Sequence, residues 1–260
     1  MTSYFRRRGE HAFTATDHTG GGWSTTEQHI APMNGLIVHE IERHVGDDDK
    51  ALARLSIDIL GVLAIDDFEL TVSVVRPGRT IELVEARVTQ HGRDAVLARA
   101  WRLSAGDTSS VVGGGETCFP APEEMPVWDM AALWPGGFIA SLDVRRDPTT
   151  APGRGRAWIS TPLTLLDDEE SSVLARWFGL LDTANGVAVR ESPREWLFPN
   201  VDLTCHLQRQ PTAPWLGLDT AVVFGAEGLG ITESDAYDPN GRVGRVEQIL
   251  TVRPAIAPGT

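Results

Sequence analysis

Val201-Asp202-Leu203-Thr204-Cys205-His206-Leu207 alternates apolar and polar residues without a break. A period of two gives a strand one dry face and one wet face. Upstream, Val173, Leu174, Trp177, Phe178, Leu181 and Ala184 fall at helical spacing and form one apolar stripe. Asp167-Asp168-Glu169-Glu170 suits the start of that helix through capping and the dipole, and Gly186 is its expected stop. Downstream lie a strand near 215–224 and a hairpin, 229–237 and 242–252. Its turn is Asp238-Pro239-Asn240-Gly241, where Asn-Gly is a strong hairpin signal.

The same order occurs earlier in the chain. Residues 1–27 are polar and glycine-rich, ending in Gly20-Gly21-Gly22-Trp23. Pro32 then fits a first helical turn, and Met33, Leu36, Ile37 and Ile41 follow at helical spacing until Gly46-Asp47-Asp48-Asp49-Lys50. Residues 55–59 and 68–74 alternate as strands, and 80–90 and 94–103 form a hairpin turning at His91-Gly92. Residues 28–104 therefore read like residues 165–253. The strands come in runs, not interleaved with helices, which predicts an antiparallel α+β architecture. One apolar helix followed by long strands predicts a sheet wrapped around that helix. Two copies side by side predict a continuous curved sheet, with a seam where each copy supplies half of a site. The expected units are 1–108 and 109–260, the second including a Gly- and Pro-rich connection over 105–156.

The chain has 260 residues and a formal net charge of -13. An acidic balance argues against nucleic acid as a partner, since phosphates need a basic face. Cys118 and Cys205 are far apart and in no CxxC, which excludes a zinc site built on cysteine pairs and leaves a single disulfide open. Arg6, Arg7 and Arg8 have no apolar run behind them, so no secretory signal is expected, and no stretch is long enough to span a membrane. A cytoplasmic protein is expected. His39-Glu40-Ile41-Glu42-Arg43-His44 misses the zinc-protease pattern, because its histidines are five apart where a shared helical face needs four. It reads as a solvated helix face. No metal and no cofactor are expected.

Five stretches carry a family resemblance. They are Gln28-His29-Ile30-Ala31-Pro32 with Val74-Val75-Arg76-Pro77-Gly78-Arg79, Leu180-Leu181-Asp182-Thr183-Ala184-Asn185-Gly186, and Pro199-Asn200-Val201-Asp202-Leu203-Thr204 with Gly241–Gln248. In order and spacing they resemble the double hotdog acyl-CoA thioesterases. The resemblance implies a tandem hotdog, an acyl-CoA substrate, and hydrolysis by water without metal or covalent intermediate. It also implies an Asp near the end of the second helix, assisted by a Thr and a Gln. These positions fall on Asn185, Asn200 and Gln248, so only the Gln is retained in kind.

Asn185 positions water but cannot take its proton. Asp182, one turn earlier on roughly the same face, is the alternative base. Asn200 is expected on the strand face that lines the seam. Gln248 offers a donor and an acceptor, and a structural cross-strand bond is its other explanation. Trp23 and His29 are candidate substrate-binding residues, beside a simple packing role and a surface role. Arg145-Arg146 and Arg154-Gly155-Arg156 could meet coenzyme A phosphates, although solubilising loop charge explains them more simply. The expected activity is acyl-CoA hydrolysis at the seam. The alternative is a protein of this fold that binds an acyl thioester without cleaving it. A curved sheet with open edges predicts a homodimer.

Overall fold

The computed structural model describes residues 3–46, 48–114 and 119–255. The first half contains β1 (Ser3–Arg7), β2 (Ala12–Ala15), α1 (Ile30–Val45), β3 (Lys50–Ile59), β4 (Asp67–Arg76), β5 (Ile81–Gln90) and β6 (Arg93–Ser104). The connection carries α2 (Gly137–Ala140) and β7 (Asp143–Arg146). The second half continues with β8 (Arg154–Ser160), β9 (Thr164–Leu166), α3 (Val173–Phe178), α4 (Ala184–Val187) and β10 (Trp196–Leu197). It closes with β11 (Asp202–Leu207), β12 (Leu216–Phe224), β13 (Leu229–Asp238), β14 (Gly241–Thr251) and β15 (Arg253–Pro254).

All strands except β10 and β15 join one 13-stranded sheet in the order β7-β8-β12-β13-β14-β11-β3-β6-β5-β4-β2-β1-β9. The seam is the antiparallel pair β3–β11, running from Asp202 opposite Asp58 to His206 opposite Arg54. The expected continuous sheet is present, and the fold is a tandem α+β hotdog. The halves also interlock, because β9 crosses over to pair in parallel with β1 at the far edge. The alternation quoted above holds in β11, where Leu203 and Cys205 are buried. The turn at His91-Gly92 has positive φ at both residues, 51° and 73°, as a tight two-residue hairpin turn requires.

Two strands lie where the opening residues read as polar and irregular. β1 and β2 bury Tyr4, Phe5 and Phe13, with Phe13 stacked on Phe68 at 5.6 Å. Strands this short offer too few apolar positions for a period to show.

α1 starts at His29, whose Nδ1 accepts the Ala31 N–H at 3.2 Å. It ends at Gly46, which takes the positive φ of 69° that a side chain would resist. Its burial is not a single stripe: every residue from Ile30 to Val38 is buried. Sheet covers one flank and the second helical segment covers the other. That segment was expected as one helix stopping at Gly186. Instead α3 ends at Gly179, a 3₁₀ turn spans Leu181–Thr183, and α4 carries Gly186 inside it. The break falls where the helices cross. A Cβ added to Gly35 would lie 2.7 Å from the Ala175 carbonyl oxygen and 3.0 Å from Gly179 Cα. Two glycines thus let the backbones touch, and the chain re-forms its helix in a shifted register beyond them.

The His39–His44 face is solvated only in part: Arg43 and His44 are exposed. Glu40 is buried, and Arg7 of β1 donates to both Glu40 and Glu169, while His39 Nε2 lies 3.2 Å from Glu169. The ligand atoms of His39, Glu40 and Glu169 come within 4.8 Å of one another. The Arg7 guanidinium is the cation that neutralises this group, and it ties the first strand to α1 and to the start of the second helical segment. No helix among the described residues is long and apolar enough to cross a membrane. Cys205 is a buried free thiol, and Cys118 lies outside the described residues. Burial pushes the Cys205 pKa up, which keeps it an inert thiol.

Candidate active site

Asp182 stands on the 3₁₀ turn that follows the helix break. The turn rotates its carboxylate toward the seam, where it is 5% exposed. Its Oδ1 accepts two amide hydrogen bonds, from Asn200 Nδ2 at 2.7 Å and from Gln248 Nε2 at 2.7 Å. Asn200 lies two residues before the start of the seam strand β11, and its amide also donates to the Asp202 carbonyl at 3.0 Å. Gln248 stands on β14, the next strand over, among the inward-facing positions Val246 and Leu250. Asp182 Oδ2 faces His29 Nδ1 at 3.5 Å, across from the first half of the chain. The site therefore draws on both halves.

Electrostatics make this carboxylate unusual. Burial raises the Asp182 pKa to about 7, against the lowering effect of the Asn200 and Gln248 hydrogen bonds. The nearest titratable neighbour does not offset the burial. Desolvation lowers the His29 pKa to about 4, so the ring is neutral at pH 7. The Ala31 N–H occupies Nδ1, which leaves the His29 proton on Nε2. The His29–Asp182 contact is thus a meeting of a neutral ring and a half-ionised acid, not an ion pair. A carboxylate poised near neutrality, with one oxygen anchored and the other open, is suited to accept a proton from water.

A cleft of about 390 Å³ opens onto this group. The Gly21–Ser24 loop, Ile30, the Leu60–Leu63 connection and Pro199–Val201 form its walls. Beside it, a void of about 20 Å³ touches His29, Asp182 and Asn185. That is room for about one water molecule. A larger cleft of about 750 Å³ lies at the other end of the β3–β11 seam, among Glu42, Asp48, Lys50, Arg102 and Ser172. Several of its polar groups are paired: Lys50 with Asp48 at 2.9 Å and Arg102 with Glu82 at 2.5 Å, while the Ser172 hydroxyl donates to Glu42 at 2.7 Å.

The structure gathers Asp182, Asn200, Gln248 and His29 at one point. Asn185 is a turn away and lines the same cleft. Of the two candidates, Asp182 is the one whose carboxylate accepts from Asn200 and Gln248. Trp23 forms part of the cleft wall, 38% exposed, edge-on to Trp134 at 4.9 Å and Phe198 at 5.0 Å. The arginine pairs lie elsewhere. Arg145 donates to Pro122 and Met125 carbonyls, Arg146 stacks over Trp128 at 4.3 Å, and Arg156 pairs with Asp219 at 2.8 Å. Arg253, which sequence reasoning missed, lines the cleft instead. Trp134, which lines the small void, was missed too, since nothing local marks an aromatic in a loop as part of a wall.

Two family models match the chain. An acyl-CoA thioesterase N-terminal domain matches residues 19–103, and an acyl-CoA thioesterase C-terminal domain matches residues 121–252. The fold is similar to that of solved proteins over nearly the whole chain. An acyl-CoA thioesterase II from Mycobacterium marinum is 17% identical, with a TM-score of 0.69, covering 98% of this chain and 97% of the other. A hot dog protein of unknown function from Alicyclobacillus acidocaldarius is 13% identical, with a TM-score of 0.75, covering 96% of each chain. At such identities the likeness shows the fold. A search of curated proteins finds no match.

Proposed function

We propose, from the premise that this chain belongs to the acyl-CoA thioesterase family, that it hydrolyses acyl-CoA thioesters with Asp182 as general base. The observation that carries this is the buried Asp182 carboxylate at the cleft, raised to about 7, with Oδ1 held by two amides and Oδ2 facing His29. Water beside Oδ2 gives its proton to Asp182 and its oxygen to the thioester carbonyl carbon. The oxyanion that forms lies by the N-terminus of α1, whose positive end favours it. His29, neutral and protonated on Nε2, donates without competing for the water's proton. The intermediate collapses, the carbon–sulfur bond breaks, and the departing thiolate takes the proton from Asp182. The products are a free acid and coenzyme A. The alternative of a non-catalytic binder rests on Asn185 standing where a carboxylate is needed; the Asp182 carboxylate, held by Asn200 and Gln248, supports the catalytic reading instead.

The test is hydrolysis of acyl-CoAs of graded chain length by the parent and by Asp182→Asn. The parent should turn over at least one of them, with a rate that rises with pH to a plateau above about 7. The variant should lose roughly 10²-fold or more, the scale of general base catalysis. A folded variant hydrolysing at the parent rate would exclude Asp182 as the base.

A further inference from the structure

Gln248 is held on one side only. Its Nε2 donates to Asp182, but its Oε1 is buried and has no hydrogen-bond partner among the described residues. A buried amide oxygen without a donor is costly, and native structures rarely leave one so. A second orphan lies directly beside it. Thr232 of β13 is the cross-strand partner of Gln248, its residue is fully buried, and its Oγ1 also lacks a partner. Paired residues put their side chains on the same face of the sheet, with Cβ atoms about 5 Å apart. One atom is an acceptor in need of a donor, and the other is a hydroxyl whose proton has no acceptor. The next inward row, Thr220 with Ser234, shows the satisfied version, a hydroxyl pair at 2.8 Å.

We propose that Thr232 is a positioning residue for the active site: its hydroxyl donates to Gln248 Oε1, through a side-chain rotation or one shared water. The inference rests on the assignment of Asp182 as the base. It fixes which end of the Gln248 amide meets the carboxylate. With Oε1 anchored on Thr232, only the N–H end is left for Asp182. Without that anchor the amide can turn over and present its carbonyl oxygen to the carboxylate. Two oxygens facing each other disfavour the ionised acid, so Asp182 would become harder to deprotonate. His29 is the titratable group in contact with Asp182, and Glu27 and Arg253 are the charged residues lining the same cleft. None of these three is altered by a change at Thr232.

The experiment compares the parent, Thr232→Val, Thr232→Ser and Asp182→Asn. Valine keeps the shape and removes the hydroxyl, while serine keeps the hydroxyl. The readouts are the Asp182 carboxyl titration by ¹³C NMR and the pH profile of hydrolysis, with thermal melting to confirm folding. Thr232→Val should raise the Asp182 titration midpoint by about one unit, which is tenfold in its ionisation constant. The rising limb of the hydrolysis profile should move by the same amount, with KM unchanged. Thr232→Ser should restore both. A folded Thr232→Val with the parent's Asp182 titration overturns the proposal, as does a serine variant that behaves like valine. The NMR arm does not depend on catalysis. If Asp182→Asn remains active, the assignment of the base fails while the Thr232 effect on the Asp182 carboxyl still stands or falls by its own titration.

Discussion

Replacing Asp182 by Asn should stabilise the protein, and the gain should depend on pH. The Asp182 carboxyl titrates near 7 in the folded chain and near 3.8 without its surroundings. Between those values the folded state holds a proton that the unfolded state has released. Stability from this group therefore falls as pH rises from about 4 to about 7, and stays low above that. Three units correspond to about 4 kcal/mol, an upper figure, because water reaching the cleft softens the cost of the buried charge. Asparagine keeps the acceptor that Asn200 and Gln248 need, and carries no charge. His29 acts in the opposite sense. Its depressed pKa gives stability that is present above its ordinary value and is lost as pH falls toward 4. The parent's own pH curve is therefore a sum of opposing slopes, and the difference between parent and variant isolates Asp182. Urea unfolding of both proteins at pH 4.5 and about 8 provides the assay. The variant should be no more stable than the parent at the lower pH and a few kcal/mol more stable at the higher. A difference that stays flat with pH would refute the reasoning, because it would mean the carboxylate is solvated or ion-paired in the folded state.

Three further outcomes follow from the packing. Arg7→Ala should destabilise by up to about 3–5 kcal/mol, since it leaves the buried Glu40 with only the half-exposed Arg43 at 3.4 Å, and chemical denaturation would read this directly. Gly35→Ala should cost about 1–3 kcal/mol or more, because its methyl meets the Ala175 carbonyl, and a lowered melting temperature would show it. Val223, Ile231 and Ile249 form an exposed apolar row across β12, β13 and β14, so light scattering should give a homodimer, and Ile231→Asp should weaken it.

Much of this architecture was legible because it is local. The alternation of 201–207, the His91-Gly92 turn and the hairpin of β13 and β14 each depend on neighbours within a few residues. What escaped was non-local. β1 has few residues to show a period, and its parallel partner β9 is only Thr164–Leu166, brought over from the second half. Nothing within either segment announces that pairing. The helix break was missed for a related reason. Gly179 lies inside the stretch expected as one helix, and its significance comes from Gly35 on another helix.

The site residues were legible, but not which of Asp182 and Asn185 meets Asn200 and Gln248. Asp182 stood out as an acid among Leu180, Leu181 and Ala184, and a 3₁₀ turn rather than an α-helical one decides where it points. Gln248 and Thr232 share a signal that alternation does carry: each is a polar residue on the buried face of its strand.

The duplication itself offers two seam ends, each with a cleft and with acids nearby, and charge separates them. At the larger cleft Lys50 and Arg102 lie against Asp48 and hold its pKa down at about 2, so that carboxylate keeps its charge and takes no proton near neutrality. Glu42 there is pushed up by burial but lies half-buried and is held by the Ser172 hydroxyl. At the smaller cleft the partners of Asp182 are amides, which orient a carboxylate without supplying a positive charge. Burial then prevails and lifts the pKa into the range where a base can act. Placing a cation there should switch that off. Asn200→Lys would set an ammonium beside Asp182, lower its pKa, and weaken it as a base even though more of it would be ionised. Hydrolysis near pH 5 would then lose its acid limb while the plateau rate falls, and a plateau at the parent's level would count against the role given to the amides.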